Sequence, residues 1–497
     1  MLGSRFARLA ARPRAGIIKS PQQIHSPPLS SSVISCVVYR RHASQLAGEV
    51  GGHVDAPMSG LSSPDAATGN VGSQGQSKAA GDITEEGINY RLDTKRWKYP
   101  SVGVRKGHSW ETIPNIWLRD NCRCSKCVNK DTMQRNFSIF EIPSSVAPAE
   151  VKEETDGLRV VWDYEQHESF YTWDFLERYV DKGKRLDIDQ SKRKLWGSEI
   201  AKDPPTVGYD EVMDTASESG LAKLTDHIMQ YGLVFVDGTP FDDAIHTKRL
   251  LERIGPIRET HYGGFYDFVP DMAKADTAYT NIALPAHTDT TYFTDPAGLQ
   301  AFHMLSHTPS PNAPEGESAS GGESLLVDGF RAAELLRTIN PEYFKSLCTF
   351  PLPWHASGNQ GVTITPDELQ PVIQLRPHSV NTSATDGSLL RIRWNNDDRG
   401  VPPLDEPIRG SGYKGLLKWY KAARRWNNIL KKDSSEFWFQ LKPGRTLIFD
   451  NYRVLHGRSA FTGMRRICGA YISRDDFISR WRNTNLSREE VLAQVIG

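Results

Sequence analysis

The sequence predicts a mainly β protein with flanking helices, whose larger part is a double-stranded β-helix of the jelly-roll or cupin type. Short runs of apolar and β-branched residues recur along the chain, and glycine, proline and asparagine separate them. The runs, in chain order, are LVFVDG, SLLVDGF, LLRIRW, TLIFDN, RVLHG and RICGAYIS. Helical spacing appears at LAKLTDHIMQYG, at residues 330–347 and at residues 412–431. Many short strands separated by turn residues are typical of a sandwich or a closed sheet.

Length and charge limit the classes of function. The chain of 497 residues is long enough for two or three domains of about 100–200 residues each. Its 60 basic and 60 acidic residues give a formal net charge of zero, which provides no general attraction to nucleic acid or to an anionic membrane surface. No apolar run approaches the roughly 20 residues that a membrane-spanning helix needs. We therefore expect a soluble protein that binds neither nucleic acid nor membrane.

The first 87 residues are predicted to lie outside the fold. Seven basic residues precede the first acidic residue, Glu49, and serine and alanine are abundant there. This composition is typical of a mitochondrial transit peptide, so residues 1–44 are expected to direct the protein to the mitochondrial matrix. A basic tail without a targeting role is the alternative. Residues 45–87 contain almost no large apolar side chains and are predicted to form a flexible linker.

A small zinc-binding α+β domain is predicted for residues 88–190. The segment IWLRDNCRCSKC places Cys122, Cys124 and Cys127 within six positions, and three thiolates at this spacing can bind one side of a tetrahedral zinc ion. Packing of the three cysteines without a metal is the alternative. The runs SIFEIP and LRVVWDY are predicted to be short strands of this domain.

A structural zinc site needs a fourth ligand. His108 and His167 are the nearby candidates. His167 is favoured because an amphipathic helical pattern follows it, so that a turn can direct its side chain back towards the cysteines. A site closed by four protein ligands would be structural and not catalytic.

A second metal site is predicted in residues 191–497. The segment HTDTTYF contains His287 and Asp289, which would point to the same side of a strand. A second histidine would complete the set of two histidines and one carboxylate that binds non-haem Fe(II) and leaves three coordination positions open. His456 is favoured because it ends the strand-like run TLIFDNYRVLHG, and Gly457 beside it permits close approach of another backbone segment. The competing histidines are His303, His307, His355 and His378.

An arginine follows His456 at a spacing that would suit a contact with a bound cosubstrate. Arg465 begins the strand-like run RRICGAY, nine residues after His456. An iron site of this type must hold 2-oxoglutarate, whose distal carboxylate is well matched by a bidentate guanidinium. Arg466 should face the opposite side of a regular strand, so only one of the two arginines can serve. Without this second half of the pattern, the His287 and Asp289 pair could equally be a capped turn.

Five segments together resemble the γ-butyrobetaine hydroxylase family. They are WLRDNCRCSKC, AYTNIALPAHTDTTYF, GGESLLVDGF, WNNDDRG and DNYRVLHGRSAFTGMRRICGAY, and the resemblance covers roughly residues 88–490. It implies an N-terminal zinc domain followed by a double-stranded β-helix, in a mitochondrial homodimer. It also implies hydroxylation at C3 of N6,N6,N6-trimethyllysine, with Fe(II), ascorbate and structural zinc as cofactors and 2-oxoglutarate as cosubstrate. The alternatives are hydroxylation of γ-butyrobetaine, a non-catalytic zinc-domain scaffold, and a metallohydrolase that would leave Arg465 unexplained.

The resemblance also assigns roles to individual residues. The iron ligands would be His287, Asp289 and His456, and Arg465 would bind the cosubstrate. The zinc ligands would be Cys122, Cys124, Cys127 and His167.

The family holds a quaternary ammonium between aromatic rings, because this group cannot donate a hydrogen bond. The tyrosines that resemble these positions are Tyr262, Tyr266, Tyr279 and Tyr471, with a role in the hydrophobic core as the alternative. Asn395 and Asn396 are candidates for the substrate carboxylate. An acidic residue facing the substrate amine would favour trimethyllysine, and Asp397 and Asp398 are the candidates. The Pro/Gly/Ser-rich segment 306–324 is predicted to be a surface insertion.

Overall fold

The structure is a computed structural model. It describes residues 89–93, 101–106, 109–180, 192–269, 280–358, 361–376, 387–404 and 413–495, all of which lie within one compact unit. Several predictions fall outside these residues. They are the transit peptide 1–44, the linker 45–87, the domain boundary at 190/191, His108, Tyr279 and His378.

The N-terminal part contains two three-stranded antiparallel sheets and two short helices. Its elements are β1 (Asn89–Asp93), β2 (Ser101–Lys106), β3 (Ser109–Pro114), α1 (Asn115–Asp120), β4 (Pro148–Glu154), β5 (Gly157–Trp162), β6 (Glu168–Thr172) and α2 (Trp173–Val180). The strands pair in the orders β1-β2-β3 and β4-β5-β6. One hydrophobic cluster joins α1, β5 and α2 through Leu118, Trp162 and Leu176, which are fully buried. This combination of sheets and helices agrees with the predicted α+β class. β5 confirms the strand predicted at LRVVWDY.

The prediction of a strand at SIFEIP is wrong. The structure has a single 3-10 turn there, Ile139–Glu141. Ile139 and Ile142 both pack on the N-terminal core, and Phe140 between them is 95% exposed. Apolar residues three positions apart lie on one side of a helical turn, whereas a strand would place them on opposite faces.

The larger part contains two antiparallel sheets, apart from one parallel pair at an edge. The strands are β7 (Thr206–Gly208), β8 (Leu233–Asp237), β9 (Tyr266–Phe268), β10 (Leu284–His287), β11 (Leu299–Thr308), β12 (Ser324–Asp328), β13 (Ile373–Leu375), β14 (Leu389–Ile392), β15 (Glu436–Phe439), β16 (Arg445–Asp450), β17 (Val454–Arg458), β18 (Met464–Gly469) and β19 (Tyr471–Ile472). One sheet has the order β10-β17-β12-β15, and the other has the order β7-β8-β16-β11-β18-β9, with β19 beside β11. β13 and β14 form a separate hairpin-like pair.

The two sheets pack against each other through a shared apolar layer. Leu326, Phe437 and Val454 come from the four-stranded sheet, and Phe235 and Phe449 come from the larger sheet; all five are buried in one cluster. Two packed antiparallel sheets are consistent with the predicted jelly-roll core. The strands predicted from all six runs of the main domain are confirmed.

Helices cover the outer sides of this core. They are α3 (Tyr209–Met213), α4 (Ser219–Tyr231), α5 (Ile245–Ile254), α6 (Gly329–Ile339), α7 (Pro341–Thr349), α8 (Tyr413–Leu430), α9 (Arg474–Asn485) and α10 (Arg488–Val495). The helical pattern predicted at 330–347 is two helices, because Pro341 cannot continue the first one and Asn340 caps the second through its side chain. Among the described residues, no helix is long and apolar enough to cross a membrane.

Candidate functional site

His287 and His456 are cross-strand neighbours. They are paired in the antiparallel register of β10 and β17, and their ring centroids lie 4.2 Å apart. Gly457 allows β10 to approach this closely, since an added Cβ would lie 2.6 Å from the carbonyl oxygen of Leu284. The close approach expected at Gly457 is therefore confirmed.

Asp289 lies just beyond the end of β10. The strand ends at His287, and the chain turns after Asp289, with Thr290 in the left-handed region at a φ of 54°. The predicted convergence of the His287 and Asp289 side chains is confirmed, although only His287 lies within the strand. Asp289 Oδ1 lies 3.2 Å from His287 Nε2 and 3.7 Å from His456 Nε2.

These three side chains suit one divalent metal ion. Two ligands at right angles on an ion with bonds of about 2.1 Å lie roughly 3 Å apart, which is near both distances. His287 Nδ1 lies 2.8 Å from the carbonyl oxygen of Pro285, to which it can donate, and this leaves Nε2 available as a metal ligand. Burial, together with the imidazole of His287, lowers the pKa of His456 to about 3, so this ring is neutral at pH 7.

Asp289 is oriented by its neighbours. Gln300 Nε2 and the Tyr471 hydroxyl both donate to Oδ2 at 2.7 Å, which leaves Oδ1 directed towards the histidines. Asn451 fixes the backbone, because its Oδ1 accepts from the Asp289 N–H at 2.8 Å and its Nδ2 donates to the Asp289 carbonyl at 3.0 Å. Burial raises the pKa of Asp289, but the two imidazoles and Tyr471 outweigh it and hold the pKa below its ordinary value. The carboxylate is thus anionic, as a metal ligand must be.

The segment on both sides of Asp289 is held in place by Arg393 and Trp394, which follow β14. Arg393 is 1% exposed and donates to the carbonyl oxygens of Thr291 and Phe293. Thr288 N donates to the Trp394 carbonyl at 2.8 Å, and Trp394 N donates to the Thr288 hydroxyl at 3.0 Å. Arg393, Gln300 and Asn451 were not predicted as site residues, because none of them belongs to a spacing pattern that would identify it.

A cavity opens beside the three side chains and is lined by aromatic and polar residues. Its lining includes Tyr262, Tyr266, Phe268, Tyr292, Phe302, Tyr471, Gln300, Asn395, Asp398, Arg458 and Arg465. Tyr266 donates to the Ala301 carbonyl at 2.8 Å, and the hydroxyls of Tyr262 and Tyr292 lie 3.1 Å apart. Asn396 is exposed and is not among the residues that line the cavity, whereas Asn395 is. Tyr292 was missed although it stands inside HTDTTYF.

Arg465 is the buried member of the arginine pair. It is 3% exposed, whereas Arg466 forms an exposed bidentate pair with Asp267 at 2.6 and 2.9 Å, as strand alternation predicts. Gly322 makes room for the guanidinium, since an added Cβ would lie 2.9 Å from Arg465 Nη1. Arg465 Nε is buried and has no hydrogen-bond partner among the described residues. Burial lowers the pKa of Arg465 to about 10, so it is a cation at pH 7 and suits an anionic ligand.

The competing histidines lie elsewhere. His303 is fully buried, with Nδ1 2.7 Å from the Thr247 hydroxyl and Nε2 accepting from Gly444 N at 3.2 Å. His307 Nε2 lies 2.8 Å from the Thr462 carbonyl oxygen, and His355 is exposed. None of these three lines the cavity.

A second cluster lies in the N-terminal part. His167 Nε2 lies 3.4, 3.6 and 3.4 Å from the sulfur atoms of Cys122, Cys124 and Cys127. A tetrahedral zinc ion with bonds of about 2.3 Å to sulfur and 2.0 Å to nitrogen would place such atoms about 3.5 Å apart. Arg119 Nη1 donates to Cys127 Sγ at 3.3 Å, which helps to stabilise a thiolate. Burial raises the pKa of the Cys127 thiol to about 12, so a bound cation is needed to keep it ionised at pH 7.

Comparisons with known proteins agree with this two-part organisation. The model of the "Taurine catabolism dioxygenase TauD, TfdA family" matches residues 187–471, and the model "Gamma-butyrobetaine hydroxylase-like, N-terminal" matches residues 103–177. A Neurospora crassa protein named trimethyllysine dioxygenase is 53% identical over 84% of this chain and 88% of its own length. The Homo sapiens protein named trimethyllysine dioxygenase, mitochondrial, is 37% identical over 74% of this chain and 81% of its own length.

Similarity to solved structures is weaker. The crystal structure of PvcB from Pseudomonas aeruginosa has a TM-score of 0.35 and 17% identity, and it covers 54% of this chain and 86% of that chain. The sequence matches are much stronger, since one family model covers more than half of the chain and one relative is more than half identical along most of its length. The chain therefore belongs to the TauD/TfdA dioxygenase family.

Proposed function

We propose that the protein is an Fe(II)- and 2-oxoglutarate-dependent dioxygenase that hydroxylates N6,N6,N6-trimethyllysine at C3, the first step of carnitine biosynthesis. The observation that carries this proposal is one cavity that joins the His287, Asp289 and His456 cluster to the buried cation Arg465. The names of the relatives supply the substrate, since proteins from fungi and mammals that cover most of the chain are named trimethyllysine dioxygenase.

The three clustered side chains would hold Fe(II). When bound, the ion supplies oxygen activation, in which O2 and 2-oxoglutarate are consumed and hydroxylated substrate, succinate and CO2 are formed. Gln300 and Tyr471 hold Asp289 so that its other oxygen faces the two histidines, where the ion would be bound. A set of two histidines and one carboxylate would leave further coordination positions for the reactants.

Arg465 would bind the distal carboxylate of 2-oxoglutarate. Its guanidinium carbon lies 5.1 Å from the centroid of the Phe461 ring, within the range of a cation–π contact. Aromatic side chains around the cavity exclude water and offer π faces to a trimethylammonium group. Tyr262, Tyr266 and Tyr471 remain the proposed substrate contacts, and we add Tyr292 and Phe268 because they line the same cavity.

The thiolate cluster would hold structural zinc. Four protein ligands close the coordination sphere, so the ion would stabilise the N-terminal part and take no part in the reaction. We also propose the mitochondrial matrix as the location, because mammalian relatives are named mitochondrial and the N-terminus is rich in arginine. A homodimer and a requirement for ascorbate complete the proposal on the basis of family resemblance.

Turnover of matched substrates tests the proposed function. Purified protein with Fe(II), ascorbate and 2-oxoglutarate is incubated with trimethyllysine or with γ-butyrobetaine, and products are detected by mass spectrometry. We expect trimethyllysine to gain one oxygen atom, with an equimolar amount of succinate. Faster hydroxylation of γ-butyrobetaine would transfer the assignment to the alternative substrate, and a failure to consume 2-oxoglutarate with either compound would exclude both.

Substitution of Arg465 tests the cosubstrate site. Arg465→Met should raise the KM for 2-oxoglutarate by about 10- to 100-fold, because it removes a charge-assisted bidentate contact worth roughly 1.5–3 kcal/mol. The KM for 2-oxoglutarate is measured from succinate release at saturating trimethyllysine. Arg466→Met is the matched control, since that side chain is exposed and pairs with Asp267. Equal KM values for the two variants would contradict the role of Arg465.

A further inference from the structure

A buried guanidinium lies against the proposed zinc cluster. Arg119, in the last turn of α1, is 3% exposed, and its Nη1 donates to Cys127 Sγ at 3.3 Å. We infer that Arg119 balances the negative charge of the thiolate cluster, so that the site and a divalent ion together form an electrically neutral unit. The inference rests on the proposed zinc site and deepens it, because it assigns a charge to the ligand set and a role to a residue that is not a ligand.

The guanidinium of Arg119 makes its polar contact with a sulfur. Its carbon lies 4.8 Å from the centroid of the Phe137 ring, and its Nε is buried without a hydrogen-bond partner in the described part of the chain. The neighbouring carboxylate, Asp120, instead accepts from Arg135 Nη2 at 3.2 Å. A cation that is almost removed from water is costly unless a negative group lies beside it. The sulfur of Cys127 is such a group when it is a thiolate.

The proposed ligand set carries one negative charge when a zinc ion is bound. Its three cysteines contribute three negative charges as thiolates, and the ion contributes two positive charges. His167 contributes none, since a metal-bound imidazole is neutral. Cys122 and Cys127 are each 1% exposed, so water compensates little of the remaining charge. One guanidinium at hydrogen-bond distance from a sulfur brings the sum to zero.

Other charged groups near the cluster are closer to solvent. Lys126 lies in the loop that carries the cysteines, Glu165 precedes His167 by two residues, and Glu168 follows it; all three are exposed. Arg123 is half-buried. Because water screens exposed charges, these groups affect the cluster less than a buried cation in direct contact with a ligand.

Substitution of Arg119 tests the contribution of its charge. Arg119→Gln keeps an amide donor near Cys127 and removes the charge. The apparent affinity of the full chain for Zn²⁺ is measured by competition with a chelator, and we expect a loss of about 10- to 100-fold, the usual effect of removing a side chain that supports a metal ligand. Arg119→Lys keeps the charge and should retain most of the affinity. Lys126→Met is the matched control, since it removes an exposed cation from the same loop and should bind Zn²⁺ as the wild-type protein does.

Wild-type affinity in Arg119→Gln would overturn the inference. Equal losses in Arg119→Gln and Arg119→Lys would also overturn it, because they would show that the shape of the side chain matters and its charge does not. Wild-type protein that binds no Zn²⁺ would instead refute the proposed zinc site.

A double substitution separates charge from packing. Cys124→His replaces a thiolate with a neutral imidazole and leaves the contact between Arg119 and Cys127 in place. The ligands and the ion would then sum to zero without Arg119. Arg119→Gln should therefore weaken Zn²⁺ binding in the wild-type background, but should leave it unchanged or strengthen it in the Cys124→His background.

The same loss in both backgrounds would contradict charge balance, since a packing role does not depend on the charge of the ligands. If Arg119→Gln alone does not fold, Cys124→His is compared with the Cys124→His/Arg119→Gln double variant. Weaker Zn²⁺ binding by the double variant would then overturn the inference.

Discussion

His287→Ala and Asp289→Ala should each abolish turnover, with a loss of at least ~10³-fold in kcat. Each change removes one of the three proposed ligands, and Asp289→Ala also removes the only negative charge among them. In Asp289→Ala, Gln300 and Tyr471 would also lose the carboxylate oxygen to which they donate. Succinate release at saturating 2-oxoglutarate and trimethyllysine measures the loss, and the iron content of each variant is determined after reconstitution with Fe(II).

A surface histidine provides the control for these variants. His355→Ala changes an exposed imidazole that does not line the cavity, and it should retain wild-type turnover and iron content. Circular dichroism verifies that all variants are folded. If Asp289→Ala turned over at the wild-type rate with wild-type iron content, the metal site would have to be assigned to other residues.

The three residues of the proposed metal site and their convergence could be predicted from the sequence, but the turn that follows Asp289 could not. A histidine and an aspartate two positions apart, a distant histidine and an arginine nine residues later are separate signals that become specific when combined. The turn at Thr290 has no such signal, because threonine rarely adopts a positive φ. That conformation depends on contacts from elsewhere, such as the Ala297 N–H that donates to the Thr290 hydroxyl at 2.8 Å.

The contacts that orient Asp289 could not be predicted from the sequence for a similar reason, and Tyr471 was predicted only as a substrate contact. Gln300, Asn451 and Tyr471 lie 11, 162 and 182 residues from Asp289 and reach it only because β11 and the segments following β16 and β18 meet there. A glutamine or asparagine carries no periodicity that would identify its partner. In contrast, strand alternation was sufficient to separate buried Arg465 from exposed Arg466, because it depends on local geometry alone.

Six runs of the main domain were predictable as strands because each combines apolar residues with turn residues at its ends, whereas strands such as β11 and β15 were not predicted. The SIFEIP segment shows the limit of this rule, since six residues rich in isoleucine and phenylalanine form a single helical turn. Whether such a short run becomes a strand depends on a partner strand, which the sequence does not reveal. Its exposed Phe140 also shows that local hydrophobicity does not determine burial.

Removal of the proposed zinc ion should unfold the N-terminal part of the chain. Zinc contributes on the order of 10 kcal/mol to folding in small zinc peptides, and here Cys122, Cys124, Cys127 and His167 connect α1 and the segment following it to the β5–β6 connection. Cys127→Ser should therefore lower the zinc content from one ion per chain to nearly none. It should also make the region between residues 109 and 180 susceptible to proteolysis at temperatures at which the wild-type protein resists it.

Cys348→Ser is the control, because this half-buried cysteine lies outside the cluster and should leave both zinc content and protease resistance unchanged. Zinc is measured by mass spectrometry of the metal, and the cleaved region is identified by peptide mapping. A Cys127→Ser protein with wild-type protease resistance would show that the N-terminal core around Trp162 and Leu118 is stable without the ion. In that case the contact between Arg119 and Cys127 would be explained by local packing and would not support a metal site.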